Sequence, residues 1–158
     1  MMTSLPVTPG LSLPLRTTLA TGGNARTNYN AMIAAANAVA ANPDDLAAYD
    51  ALCEVLDVDN FITYSLANWF CGNHDWPHKN WYATHHNAPG GKWRFHSWDA
   101  EHTLEGSNDF AESPADIHSK LAGNAEYRMR FADIAHQAFF NDGPLTPLAS
   151  ADMYRARM

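Results

Sequence analysis

The run Asn87-Ala88-Pro89-Gly90-Gly91 constrains this chain more than any other stretch. Proline fixes one backbone dihedral and glycine relaxes both, so such a run reverses the chain within a few residues. Two short segments flank it, Asn80 to His85 and Lys92 to Trp98, and the second alternates cleanly. Trp93 and Phe95 fall on one strand face, while Lys92, Arg94 and His96 fall on the other. The segment from 80 to 98 therefore reads as a β-hairpin with one face for a core.

Everything around the hairpin has a helical period. Tyr29, Ile33 and Ala36 mark one face of a helix ending before Asn42-Pro43. Asp44 or Asp45 starts a second, with Leu46, Tyr49, Leu52, Cys53 and Leu56 at three-and-four spacing. Asp57 or Asp59 starts a third, striped by Val58, Phe61, Ile62, Ser65, Leu66, Trp69 and Phe70 and stopped at Gly72. Helices return at Ser113-Pro114, where Ser113 with Asp116 reads as a capping box and Pro114 as the first helical residue. Gly123-Asn124 separates that helix from a longer one faced by Tyr127, Phe131, Ile134, Ala135, Ala138 and Phe139, and a short helix follows Pro147. Residues 1–24, with Pro6, Pro9, Pro14 and Gly22-Gly23, read as an extended arm. The expected class is mainly α with one β-hairpin, in one domain over residues 25–158.

Composition narrows the function. All five tryptophans and six of the eight histidines lie between Trp69 and His102, so any site belongs there. A net charge of −7 argues against a broad phosphate-binding surface, and nucleic acid is not an expected partner. No apolar run approaches the roughly 20 residues that span a bilayer, and the N-terminus has no basic export signal. Cys53 and Cys71 lack metal-knuckle spacing and read as buried thiols, with a single bridge between them as the alternative.

Polar residues bracket the hairpin: Asn73-His74-Asp75-Trp76-Pro77-His78-Lys79-Asn80 before it, Trp98-Asp99-Ala100-Glu101-His102 after it. Paired strands lie about 5 Å apart, so Asn80 and Asp99 stand side by side at the open end, with Asp75 folded back toward them. Two carboxylates and an amide oxygen are hard ligands, suited to Mg²⁺ or Mn²⁺ that also holds phosphate. Protein kinases use the same order: a base Asp, an Asn five residues on, a hairpin, then a metal-binding Asp. The plain alternative is a solvated acidic loop with Asp99 capping a helix. A zinc site from His74, His78, His85, His86 and His102 is a third reading, weakened by Pro77 inside the His74–His78 pair. The tryptophans read as hairpin packing, and Lys79, Lys92 and Arg94 as exposed charges within reach of phosphate.

The wider pattern, Asp57-Val58-Asp59-Asn60-Phe61-Ile62-Thr63-Tyr64, then Gly72 to Tyr82, then Pro89 to Phe95, then Trp98 to His102, resembles the CotH kinase family of spore-coat and bacterial surface proteins. The resemblance implies an atypical kinase-like fold and ATP- and metal-dependent phosphorylation of Ser or Thr on secreted or coat proteins, at the cell or spore surface. It makes Asp75 the catalytic Asp, Asn80 a metal ligand and Asp99 the main metal ligand. Glu101 stands where the family often has a second Asp, as a further candidate ligand. With only Arg16 and Arg26 as bases before His74 and no glycine-rich phosphate loop, the chain reads as the C-terminal lobe without its ATP-binding lobe, inactive by itself. A non-catalytic coat interaction module and a histidine-based zinc hydrolase are the competing functions.

Overall fold

The structure, a computed structural model, describes residues 25–86, 88–104 and 113–158; the expected arm over residues 1–24 lies outside them. In chain order come α1 (Ala25–Ala41), α2 (Leu46–Val55), α3 (Val58–Phe70), β1 (Trp81–His85), β2 (Trp93–Ser97), α4 (Ala115–Leu121), α5 (Ala125–Phe139) and α6 (Pro147–Arg155). The described residues are thus mainly helical with one two-stranded antiparallel hairpin. No described helix is long and apolar enough to cross a membrane.

Side-chain oxygens set most of the helix starts. Asp45 accepts from the Ala48 amide at 3.1 Å, Asp57 from Asn60 at 3.0 Å and Asn124 from Tyr127 at 2.9 Å. Each satisfies an amide that the first turn leaves without a partner, typically stabilising by about 1 kcal/mol. α3 carries the densest stripe, burying Val58, Phe61, Ile62, Tyr64 and Leu66, and packs on β2 and α5. α1 packs on α2 and α4 through Met32, Ala36 and Val39.

The hairpin pairs Trp81 with Ser97, Ala83 with Phe95 and His85 with Trp93. Trp93 and Phe95 are buried, as the alternation of the second strand predicts, and Trp81 and Ala83 join them on that face. Gly91 is compulsory, because a Cβ there would sit 1.8 Å from the His86 carbonyl oxygen. The outer edge of β2 is covered by the junction of α2 and α3. Asp57 N–H donates to the Trp93 carbonyl at 2.9 Å, and Asn60 both accepts from Phe95 N–H at 2.6 Å and donates to its carbonyl at 3.3 Å. A side chain thereby stands in for a third strand and blunts an edge that would otherwise pair with another chain.

One helix start differs from the expected capping box. α4 begins at Ala115 with Pro114 in the cap position and no side-chain cap bond. Ser113 Oγ instead lies 3.3 Å from the Tyr29 hydroxyl on α1, and Asp116 takes Lys120 Nζ at 2.6 Å. Both members of the expected pair are engaged elsewhere. Cys53 and Cys71 are free thiols, half-buried rather than fully enclosed.

Candidate functional site

α3 delivers the chain into the loop before β1, and a buried amide network fixes its entry. Asn68, near the end of α3, donates to the Tyr64 carbonyl at 2.8 Å and to Ser97 Oγ at 3.1 Å; Asn73 donates to Asn68 Oδ1 at 2.9 Å. Trp76 is fully buried, its ring edge-on to Tyr64 and Trp69, and its indole N–H donates to the Tyr64 hydroxyl. An indole bonded at its one polar atom is a rigid anchor, so the residue before it in the chain is held in place.

That residue is Asp75, only 5 % exposed. The solvated acidic loop is therefore not what forms: Asn73, Asp75, Trp76, Pro77 and Asn80 are all buried. Asp75 Oδ2 accepts from Asn80 Nδ2 at 2.9 Å and faces Lys79 Nζ at 3.0 Å. The same Asn80 nitrogen donates to the Asp99 carbonyl at 3.0 Å, and the Asn80 carbonyl accepts from Trp98 N–H at 2.9 Å. Asn80 and Asp99 both adopt the left-handed backbone, with φ of 62° and 51°. That conformation suits Asn and Asp among non-glycine residues and turns both ends of the hairpin toward Asp75.

The structure thus joins Asp75, Asn80 and the backbone of Asp99, with one difference from the expected convergence. The amide nitrogen of Asn80, not its oxygen, links the two, and Asp99 contributes its carbonyl to the link. Its carboxylate, on an exposed residue, is not in the donor group that gathers at Asp75. That group comprises Asp75, Glu101 and His102, whose ligand atoms lie within 4.8 Å of one another. Nor does Asp99 cap a helix, since the described chain has none between β2 and α4.

Backbone pairing brings Glu101 and His102 to the loop. His74 N–H donates to the His102 carbonyl at 2.7 Å and Leu104 N–H to the Cys71 carbonyl at 2.6 Å. Burial opposes ionisation of Asp75, yet the Lys79 hydrogen bond and charge, with His102 and His78 adding to them, outweigh it and hold the carboxyl below its ordinary value. Asp75 is a carboxylate at neutral pH.

The histidines do not assemble a zinc-hydrolase centre among the described residues. The gathered donor group contains one histidine, His102; His85 packs at 5.1 Å against the Trp93 ring, and His96 lies on the outer hairpin face, 2.9 Å from Thr84 Oγ1. Trp98 departs from the packing role expected of the tryptophans. It is 60 % exposed, edge-on to Tyr82, which stacks on His96. Sequence reasoning missed the Asn68–Asn73–Ser97 network and the roles of Lys79 and His102 beside Asp75. The four-residue spacing of Asp75 and Lys79 was the available signal for one of these.

Two of the three comparisons with known proteins, with curated proteins and with solved structures, returned no match. The third did: a family model described as CotH kinase protein matches residues 16–141, which takes in the loop, the hairpin and the Glu101–His102 run. With most of its length inside that match, the chain belongs to the CotH kinase protein family.

Proposed function

We propose that this chain supplies the catalytic loop and metal-holding segment of an ATP-dependent, Mg²⁺- or Mn²⁺-dependent protein Ser/Thr kinase acting on secreted or coat proteins at the cell or spore surface. The observation that carries this reading is the Asn80 side chain, which ties the buried Asp75 carboxylate to the carbonyl of Asp99. In phosphoryl transfer the protein mainly positions groups and balances charge, and the base, the Asn and the second acid must be held in one register.

In this reading Asp75 accepts the hydrogen bond of the substrate hydroxyl and takes its proton as transfer proceeds. Lys79 and Asn80 keep that carboxylate ionised and oriented through Oδ2. The donor set suits a hard cation: Asn80 Oδ1 takes part in neither of the bonds made by its nitrogen, and Asp99 and Glu101 add exposed carboxylates at the hairpin base. Asn80, Asp99 and Glu101 would hold the ion, which supplies neutralisation of charge on the moving phosphoryl group. The cradle for the nucleotide belongs, in this reading, to an N-terminal lobe.

The test is phosphotransfer from ATP labelled at the γ-phosphate to a Ser/Thr protein substrate, using the gene product that carries this chain, with Mg²⁺ or Mn²⁺. Asp75→Ala should abolish incorporation while Asp152→Ala, far along the chain on α6, leaves it unchanged. Equal incorporation by the Asp75 variant would remove the proposed base.

A further inference from the structure

We infer that Asp75, Glu101 and His102 form a binding site for a divalent ion that accepts nitrogen ligands, Zn²⁺ or Co²⁺, sharing only Glu101 with the hard-cation set proposed above. The three residues present two carboxylates and one imidazole, with ligand atoms within 4.8 Å of one another. A mixed oxygen–nitrogen set of this kind suits Zn²⁺ or Co²⁺ better than Mg²⁺, which takes oxygen almost exclusively.

Two further observations support the site. Asp75 is 5 % exposed, and its contacts with Asn80 and Lys79 both fall on Oδ2. The second carboxylate oxygen is engaged in neither of these bonds. The other two donors arrive on a segment fixed by backbone bonds, His74 to His102 and Leu104 to Cys71, so their approach does not depend on the side chains themselves.

An ion with ligands at about 2.0–2.2 Å holds its donors roughly 3–3.6 Å apart. Glu101 Oε1 and His102 Nε2 stand 3.8 Å apart already, and the two side chains are 54 % and 46 % exposed, so small rotations bring them to bonding distance. Asp75 is the fixed ligand and the others close on it.

The site rests on geometry alone; only its consequence rests on the kinase reading. An ion seated there engages the carboxylate that phosphotransfer needs as its base, so the two uses exclude one another. Zn²⁺ or Co²⁺ at this position would inhibit transfer rather than support it.

The test is titration of the whole chain, without nucleotide, with Co²⁺ as probe, followed by its visible d–d absorption. Wild type should bind one equivalent, and Mg²⁺ at about a hundredfold excess should not displace it. His102→Ala and Glu101→Gln, both at exposed positions, should each weaken binding by about tenfold or more, with far-UV circular dichroism unchanged. His74→Ala with His78→Ala should bind Co²⁺ as wild type does. Unchanged affinity in His102→Ala or Glu101→Gln, or loss in the His74/His78 double variant, would overturn the assignment. Because the readout needs no ATP and no substrate, failure of the phosphotransfer assay and failure of this site are separate results.

Discussion

Asn80 lies 2.9 Å from Asp75 through the same side-chain nitrogen that reaches the Asp99 carbonyl. One amide group therefore couples the loop before the hairpin to the chain leaving it. Asn80→Ala should release both ends, lowering phosphotransfer by about 100-fold and stability by about 1–3 kcal/mol. Asn80→Asp should also impair transfer, because a second carboxylate beside Asp75 replaces a donor with a like charge. Transfer rates and urea midpoints measured together check both.

Acid should remove the contribution of Asp75 in a defined direction. Its folded pKa lies below the ordinary value, so the carboxylate stabilises fully above the unfolded pKa near 3.9 and loses that effect as pH falls through the lower folded value. The difference in unfolding free energy between wild type and Asp75→Asn should be constant near neutrality and shrink in strong acid. Urea melts across that range provide the comparison. A difference that grew as pH fell would contradict the sign.

Asn60 is expected to matter more than its partial exposure suggests. It satisfies both backbone groups of Phe95 on the outer side of β2. Asn60→Ala should destabilise by about 1–3 kcal/mol, since it leaves a half-buried N–H without its acceptor. Asn60→Asp keeps the acceptor and should fall between the two in chemical denaturation.

The tryptophans should separate into two classes. Trp93→Ala empties a fully buried position and should cost about 3–5 kcal/mol. Trp98→Ala, at an exposed position with one edge contact to Tyr82, should change stability by less than about 1 kcal/mol. Differential scanning calorimetry of the two variants gives the contrast.

Much of the architecture was legible because it repeats. The period of α3, helix starts at one of each aspartate pair (Asp45 of Asp44/Asp45, Asp57 of Asp57/Asp59) and the alternation of β2 are local patterns, and each forms where expected. The α4 start was not legible, since Tyr29, distant in sequence, engages the serine that local chemistry would use as a cap. The site was half legible for the same reason. Asp75, Asn80 and Asp99 stood out by order around a turn, but His102 reaches Asp75 through backbone bonds between two irregular segments, which no periodicity announces. The buried amides Asn68 and Asn73 were hidden because they bond to each other and, through Asn68, to Ser97 on β2, 29 residues away in the chain.

The pairing of the two segments below the hairpin has a consequence for how this molecule can vary. Trp98 to Asn80, His74 to His102 and Leu104 to Cys71 close the neck of the hairpin by main-chain bonds. Changes in length at the tip, around Pro89 and Gly90, are thereby mechanically isolated from Asp75, whereas a one-residue deletion at the neck would shift every donor around it. The tip is where this scaffold has latitude to acquire new recognition loops, and the neck is where it has none.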